Sequence, residues 1–479
     1  MPHPMNTSRR QFLRAASGLA AAGSPLGLQL ATPFTMGLAG IGALAAQRAS
    51  AADTSGPYKA LVCLFMNGGN DSHNWVVPTD STGYGEYAAV RRELAWAANR
   101  LLPLTSTSQG SGRSFGVPQE LQPLQSLYAA GRCAVVANVG PLQRPVTKAD
   151  FNAGRYLPPK LFSHNDQQST WQSLSPEGAP SGWGGRMGDL LMAGNQNPTF
   201  TAVSAGGNAV FLTGTSVTQY QVSNSGPVSV NALSSSSVFG SAAAVSALRR
   251  TLQAQGSNHF QAEYTRVMQR SIDTSSALRT AMTATAVPAL PTSAISVASG
   301  GSITLSNESL AQQLRNVAQM VAAASSLGMQ RQVFMVNIGG FDTHANQMRD
   351  QPFLMARVAQ AVGWFFGALD GLGLSNNVTL FTASDFGRTL SSNGQGSDHG
   401  WGSHQFVAGG AVAGREIYGR FPVTALGTAD EVGSGRLLPS TSVTEYAATL
   451  GRWMGLSNTE LASVLPGLNN FSSSDLGFM

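Results

Sequence analysis

Two kinds of hydrophobic pattern alternate along the chain. Residues 60–65 and 133–139 are nearly continuous apolar runs, each followed by a polar or glycine-containing loop, and such runs suit strands covered on both faces. Residues 332–338 and 378–382 read the same way. Between them Val358, Val362, Phe365, Phe366 and Leu369 recur at helical spacing until Gly371 and Gly373 stop the pattern. Leu310, Leu314, Val317 and Val321 form an earlier amphipathic stretch leading into 332–338. Strand, helix and strand with short joints predict a crossover unit of a parallel sheet, and the alternation predicts an α/β sandwich. Near the C-terminus Ser442 with Glu445 and Ser457 with Glu460 are capping boxes that open two short helices, and Pro466 closes the second.

The segment 195–306 differs in character. It is rich in Ser and Thr, carries four consecutive serines at 234–237, and ends in a linker containing Pro288 and Pro291. It reads as an insertion that covers or flanks a site, with one helix around Phe260, Tyr264, Val267 and Met268. The chain contains no internal repeat.

Composition narrows the class. Only 11% of the 479 residues are charged, against about 25% in an ordinary protein, and 42% are hydrophobic, so the chain has ample material for a core and disorder is excluded. The 54 Gly and 23 Pro show no period, and two Cys cannot frame a chain of this length. Cys63 and Cys133 both lie in apolar runs, which predicts two buried thiols rather than a disulfide. The sequence pI near 9.4 raises the question of an anionic partner. The position of the charge answers it. Ser8, Arg9, Arg10, Gln11, Phe12, Leu13 and Arg14 match a twin-arginine export signal, a mildly apolar stretch follows, and Ala49, Ser50 and Ala51 offer a cleavage site. Pro25 and Pro33 speak against a stable membrane anchor. Removing residues 1–51 takes away four Arg and no acid, leaving 25 basic and 24 acidic residues. The expected mature domain, 52–479, is therefore nearly neutral. Its expected partners are the twin-arginine export machinery and a small anionic ester, with no nucleic acid, and its expected location is periplasmic or secreted.

The scarce charges gather in loops. Asp71 and Ser72 sit in the polar loop after 60–65, together with Gly68, Gly69, Asn70, His73 and Asn74. Gly339 to His344 follows the strand 332–338, and in an extended stub Asp342 and His344 point to one side, where a carboxylate and an imidazole can meet one cation. The next strand delivers Asp385, Phe386, Gly387 and Arg388 to the same edge, where ligands of doubly wound sheets collect. Asp398, His399 and His404 come after a Gly, Ser and Asn loop. A donor set of carboxylates and imidazoles without thiolate suits Zn²⁺ or Mn²⁺, as one or two ions. Any single Asp in such a loop more often caps a helix or braces a turn; three sets, each after a parallel strand, favour a shared site. Ser163, beside His164, and Ser72 are the candidate hydroxyl nucleophiles, with an activated water as a third choice. Arg388 either holds an anionic substrate or pairs with a structural carboxylate.

From Tyr58 onward these motifs, in this order, resemble the domain-of-unknown-function family 1501. The resemblance is carried by the 68–74 loop, Ser163 with His164, residues 182–186, 339–344, 384–389, 396–400 and 435–438. That family is similar in turn to the alkaline phosphatase and sulfatase superfamily. This implies a three-layer α/β/α sandwich with a mostly parallel central sheet and a metal site at the strand ends. It implies Asp71, Asp342, His344 and Asp385 as ligands, His399 or His404 as the last imidazole, and Ser163 as the hydroxyl nucleophile. Asp385 is followed by Phe386 where the superfamily usually has His, so Asp398 and His399 would complete a second ion's shell. The formylglycine signature of sulfatases is missing. The sequence thus points to an exported metal-dependent hydrolase of phosphate or related anionic esters, or alternatively to a non-catalytic envelope or secreted binding protein on the same scaffold.

Overall fold

The computed structural model describes residues 52–479 apart from 229–232, 234, 235, 239 and 255–257. The predicted leader, residues 1–51, lies outside the described residues, as does part of the serine run. Ten strands form the main sheet: β1 (Lys59–Met66), β2 (Cys133–Gly140), β3 (Ala202–Ser204), β4 (Tyr220–Ser223), β5 (Gly226–Pro227), β6 (Arg331–Ile338), β7 (Val378–Ser384), β8 (Ser403–Gly409), β9 (Ile417–Tyr418) and β10 (Thr441–Ser442). Their order is β9-β2-β8-β7-β1-β6-β3-β4-β5, with β10 also paired to β2. β1 lies at the centre, parallel to β6 on one side and to β7 on the other. The sheet is mostly parallel; β8 runs against both its neighbours and β5 against β4.

The continuous apolar runs have a direct physical consequence. Successive side chains of a strand point to opposite faces, so Ala60, Val62, Leu64 and Met66 enter one core while Leu61, Cys63 and Phe65 enter another. Helices Gln122–Ala129, Ser309–Ala322 and Gln347–Gly371 cover the first face. Helices Trp183–Leu191, Val443–Met454 and Asn458–Val464 cover the second. The result is an α/β sandwich, as the alternation predicts, in the three-layer α/β/α form that the resemblance implies. Helix Gln347–Gly371 buries Val358, Val362, Phe365, Phe366 and Leu369 as the spacing predicts. It carries the chain from β6 to β7, which flank β1 instead of pairing with each other. Both C-terminal capping boxes form, at Ser442 with Glu445 and Ser457 with Glu460. Cys63 and Cys133 are buried free thiols, and burial pushes the pKa of both up.

The boundary of the insertion is corrected. β3 pairs in parallel with β6 and β4 with β3, so the chain from 195 to Pro227 extends the sheet instead of leaving it. Among the described residues, those between Pro227 and Arg331 form no strand of this sheet. There the predicted helix forms as His259–Thr283; Ser275, Leu278 and Met282 bury its C-terminal half, whereas Phe260 is 89% exposed.

Candidate metal centre

β1, β6 and β7 are neighbours and parallel, so the loops that follow them emerge at one edge. Two glycines let the first loop press against the other two. A Cβ on Gly68, whose φ is +115°, would lie 2.4 Å from the Asp342 backbone nitrogen; a Cβ on Gly69, at φ +83°, would lie 2.3 Å from the Phe386 ring. Asp342 and His344 follow β6, Asp385 and Arg388 follow β7, and Asp398 and His399 come from the loop before β8. His164 opens the helix His164–Ser173 and joins them from the side.

Three imidazoles here share one arrangement. His164 donates from Nδ1 to Asp385 Oδ2 at 2.6 Å, and Gln168, one turn along the same helix, donates to that oxygen at 2.9 Å. His344 Nδ1 lies 3.0 Å from Asp398 Oδ1. His399 Nδ1 lies 2.8 Å from the Phe162 carbonyl, which can only accept, so this nitrogen carries the proton. Each ring is thus fixed through Nδ1, leaving Nε2 for the centre. His344 Nε2 is 3.0 Å from His399 Nε2 and 3.0 Å from Asp342 Oδ1. His399 Nε2 is 3.2 Å from the same oxygen, and His164 Nε2 is 3.6 Å from Asp342 Oδ2.

These spacings can be compared with a cation's requirement. Ligands about 2.0–2.1 Å from a tetrahedral Zn²⁺ stand about 3.3 Å apart. The four contacts just given, 3.0–3.6 Å, bracket that edge, three of them around Asp342 Oδ1 and the His164 contact at Oδ2. His164, Asp342 and His399 have ligand atoms within 4.8 Å of one another and can hold a metal ion. Acceptors on the far ring nitrogens match the outer shell that orients metal-binding His. The protonation states agree. Desolvation, foremost, lowers the pKa of His399 and favours the neutral ring that presents a lone pair. Burial raises the Asp342 pKa, but the hydrogen bond and charge of Arg388 prevail and hold it below the usual carboxylate value. Burial likewise raises Asp398, and hydrogen bonds from Asn393 and His344 more than reverse it.

A family model described as a protein of unknown function, DUF1501, matches residues 58–468. The chain belongs to the DUF1501 family. Among solved structures, one reported with the metabolism of multiple glycosaminoglycans by Bacteroides thetaiotaomicron is 10% identical, with a TM-score of 0.33 over 85% of this chain and 74% of that one. A 2-O glycosaminoglycan sulfatase is 12% identical, with a TM-score of 0.28 over 87% and 76% of the two chains. No curated protein matches.

Several residues of this DUF1501 chain take places other than those expected. Asp385 and Asp398 stand behind His164 and His344 on their Nδ1 side, with Asp385 fully buried. Asp71 does not reach the cluster: its carboxylate is buried against Arg91 and Gln347, and both side chains of the Asp71–Arg91 pair are fully inaccessible. His404 is buried in β8, stacked on Phe421 with ring centroids 4.4 Å apart, and its Nδ1 accepts from Asn138 N–H. Ser72 is also buried, and its hydroxyl accepts from the His404 N–H at 2.9 Å, which suits a brace and not a nucleophile. Ser163 stands at the N-cap position of the helix that begins with His164 without capping it, and its hydroxyl donates to Asp166 at 3.0 Å instead of to an imidazole. Arg388 is fully buried and spends its donors on Asp342, Gly68 O and Ser397, so of its two expected roles the structure gives the carboxylate partner. Two contributors escaped the sequence reading. Gln168 had a usable signal in its i,i+4 spacing from His164. The Phe162 carbonyl had none, because any residue supplies one.

Proposed function

We propose that this protein is an exported hydrolase of phosphate or related anionic esters that depends on one divalent ion, Zn²⁺ ahead of Mn²⁺. The observation that carries the reading is the set of three imidazoles, each tied through Nδ1 to an oxygen, whose Nε2 atoms face the two oxygens of the Asp342 carboxylate. His164, His399 and Asp342 would hold the ion, with His344 beside them at 3.0 Å from both Asp342 and His399, and such a set of imidazole nitrogens and carboxylate oxygen suits Zn²⁺. When bound, such an ion polarises a phosphoryl oxygen and lowers the pKa of a water. The chain's own residues do the positioning: Asp385 and Asp398 orient two rings, Phe162 O the third, and Arg388 holds Asp342 ionised. Because the Ser163 hydroxyl is engaged by Asp166, water is the better-supported attacking group. Its oxygen forms the new bond to the phosphorus or analogous centre, the ester oxygen leaves as an alcohol, and a proton passes to that leaving oxygen. The twin-arginine leader supports export to the periplasm or beyond.

The test is elemental analysis of the mature chain 52–479 with turnover of phosphomonoesters, phosphodiesters and sulfate esters. About one ion per chain is expected, falling below a tenth in Asp342→Ala, with turnover that follows the ion. Wild type that neither holds nor takes up Zn²⁺ or Mn²⁺ removes the reading. Bound metal with no turnover of any ester leaves the binding-protein alternative in its place.

A further inference from the structure

The segment that delivers Phe162, Ser163 and His164 to the centre is basic in a nearly neutral chain. Residues 141–163 hold Arg144, Lys148, Arg155 and Lys160 against Asp150 alone. Their side chains differ in how far they are neutralised. Lys148 is paired with Glu431 at 2.9 Å and Arg155 with Asp150 at 3.0 Å, while Lys160, 69% exposed, lies 3.6 Å from Asp166. Arg144 has no carboxylate within ion-pair distance among the described residues. It lies instead 4.7 Å over the ring of Tyr156, itself 48% exposed. Arg436 repeats the arrangement 5.2 Å over Phe162, the residue whose carbonyl binds His399.

The backbone of this loop is held in an unusual form. Tyr156, Lys160 and Phe162 have φ of 60°, 51° and 71°, the left-handed region that non-glycine residues seldom occupy. A small cluster of Leu157, Leu161 and Phe162 against Trp401, Val146 and Leu438 fixes it there. Backbone strain of this kind collects at functional sites. Beside the loop lies a cavity of about 330 Å³ walled by Pro141, Pro158, Pro159, Thr170 and Leu174. Lys160 follows one of its prolines directly and Arg144 follows its lining residue Gln143. Thr170 lies two turns along the helix that begins at His164.

We propose that Arg144, Tyr156 and Lys160, continued towards the centre by Arg436, bind an oligomeric anion, so that the ester at the metal donors is one of several anionic groups on a chain. The inference rests on the hydrolase reading for the cleaved group only; binding of the polymer does not require the ion. The cations supply long-range attraction and the exposed ring supplies a flat face for the chain between its charges. Polyphosphate and dextran sulfate present the shared chemistry, a repeated anion, from two sources.

The experiment is anisotropy titration of the mature chain with labelled polyphosphate or labelled dextran sulfate, and calorimetry with inorganic phosphate, at two salt concentrations. At least one polymer is expected to bind tenfold or more tighter than inorganic phosphate. Whichever binds tighter names the source. Arg144→Ala with Lys160→Ala should weaken that polymer at least tenfold and flatten its salt dependence, with metal content and melting temperature unchanged. Tyr156→Ala should weaken it about threefold. Arg249→Ala with Arg250→Ala, exposed cations on the insertion, should leave it as it was. Polymers no tighter than inorganic phosphate, a rim double variant that binds as wild type, or an equal loss from the insertion pair would each overturn the proposal. Asp342→Ala should still bind the polymer; a wild type that binds polymer but no metal defeats the hydrolase reading and leaves this one standing.

Discussion

Two groups of Asp and His lie at the same edge of the sheet, and they are built in opposite ways. In the outer group His164, His344 and His399 are partly exposed, each tied through Nδ1, with Nε2 turned to the Asp342 carboxylate. In the inner group His73 and His404 are fully enclosed; His73 donates to Arg388 O while His404 accepts from Asn138 N–H, and Asp71 is sealed by Arg91. The same residue types form a group that can hold a cation where several acceptors converge, and act as core braces where each is answered singly. Burial pushes the inner rings down to about 4 for His73 and about 3 for His404, so they fold as neutral groups. A carboxylate or imidazole next to a strand end is thus no ligand by position alone. What decides is which atom its neighbours leave unclaimed.

The comparison breaks most visibly at Arg91. Arg91→Ala leaves the Asp71 carboxylate buried without its cation, and such a loss costs about 3–5 kcal/mol. The variant should unfold at markedly lower denaturant concentration, while the fraction that remains folded keeps its metal. If instead metal is lost at unchanged stability, Asp71 belongs with the outer group.

Asp385 sharpens the comparison from the other side, being fully buried yet assigned to the outer group through His164. Asp385→Asn keeps the shape and weakens the grip on Nδ1. Removing an outer-shell partner of this kind costs about 10–100-fold in metal affinity. Competition with a chelator of known affinity measures it, and a thermal melt of the metal-free protein should move little. An unchanged affinity would make the Asp385–His164 contact structural only.

How much of this was legible in the sequence follows from the same distinction. The apolar runs at β1, β2, β6 and β7 and the helix between β6 and β7 obey local periodicity, so the layers were readable. The three acid-and-His motifs were readable as well, because scarce charges in glycine loops stand out from an apolar background. The division of those motifs into ligands, orienting groups and braces was not. It depends on Arg91, which comes from a helix 20 residues from Asp71, and on a backbone carbonyl at Phe162. The short strands β3 and β4 were missed because three- and four-residue segments carry too little pattern to separate from the Ser- and Thr-rich stretch around them.

The smallest expected effect is the acid sensitivity that the inner group contributes. A His whose folded pKa is depressed binds no proton in the native state, whereas the unfolded chain takes one up as pH falls through about 6.5. Its stabilising contribution is therefore whole above that value and is lost on descent towards about 3 for His404 and about 4 for His73. Between pH 7 and pH 5.5 each such ring should remove about 1 kcal/mol of stability. His404→Gln keeps an acceptor for the Asn138 N–H and cannot titrate. Denaturant unfolding at the two pH values, with a chelator present so that metal release does not contribute, should show the variant losing about 1 kcal/mol less than wild type. An identical loss in both would mean that His404 is protonated in the folded protein, and the inner group would then have to be counted among the groups open to solvent.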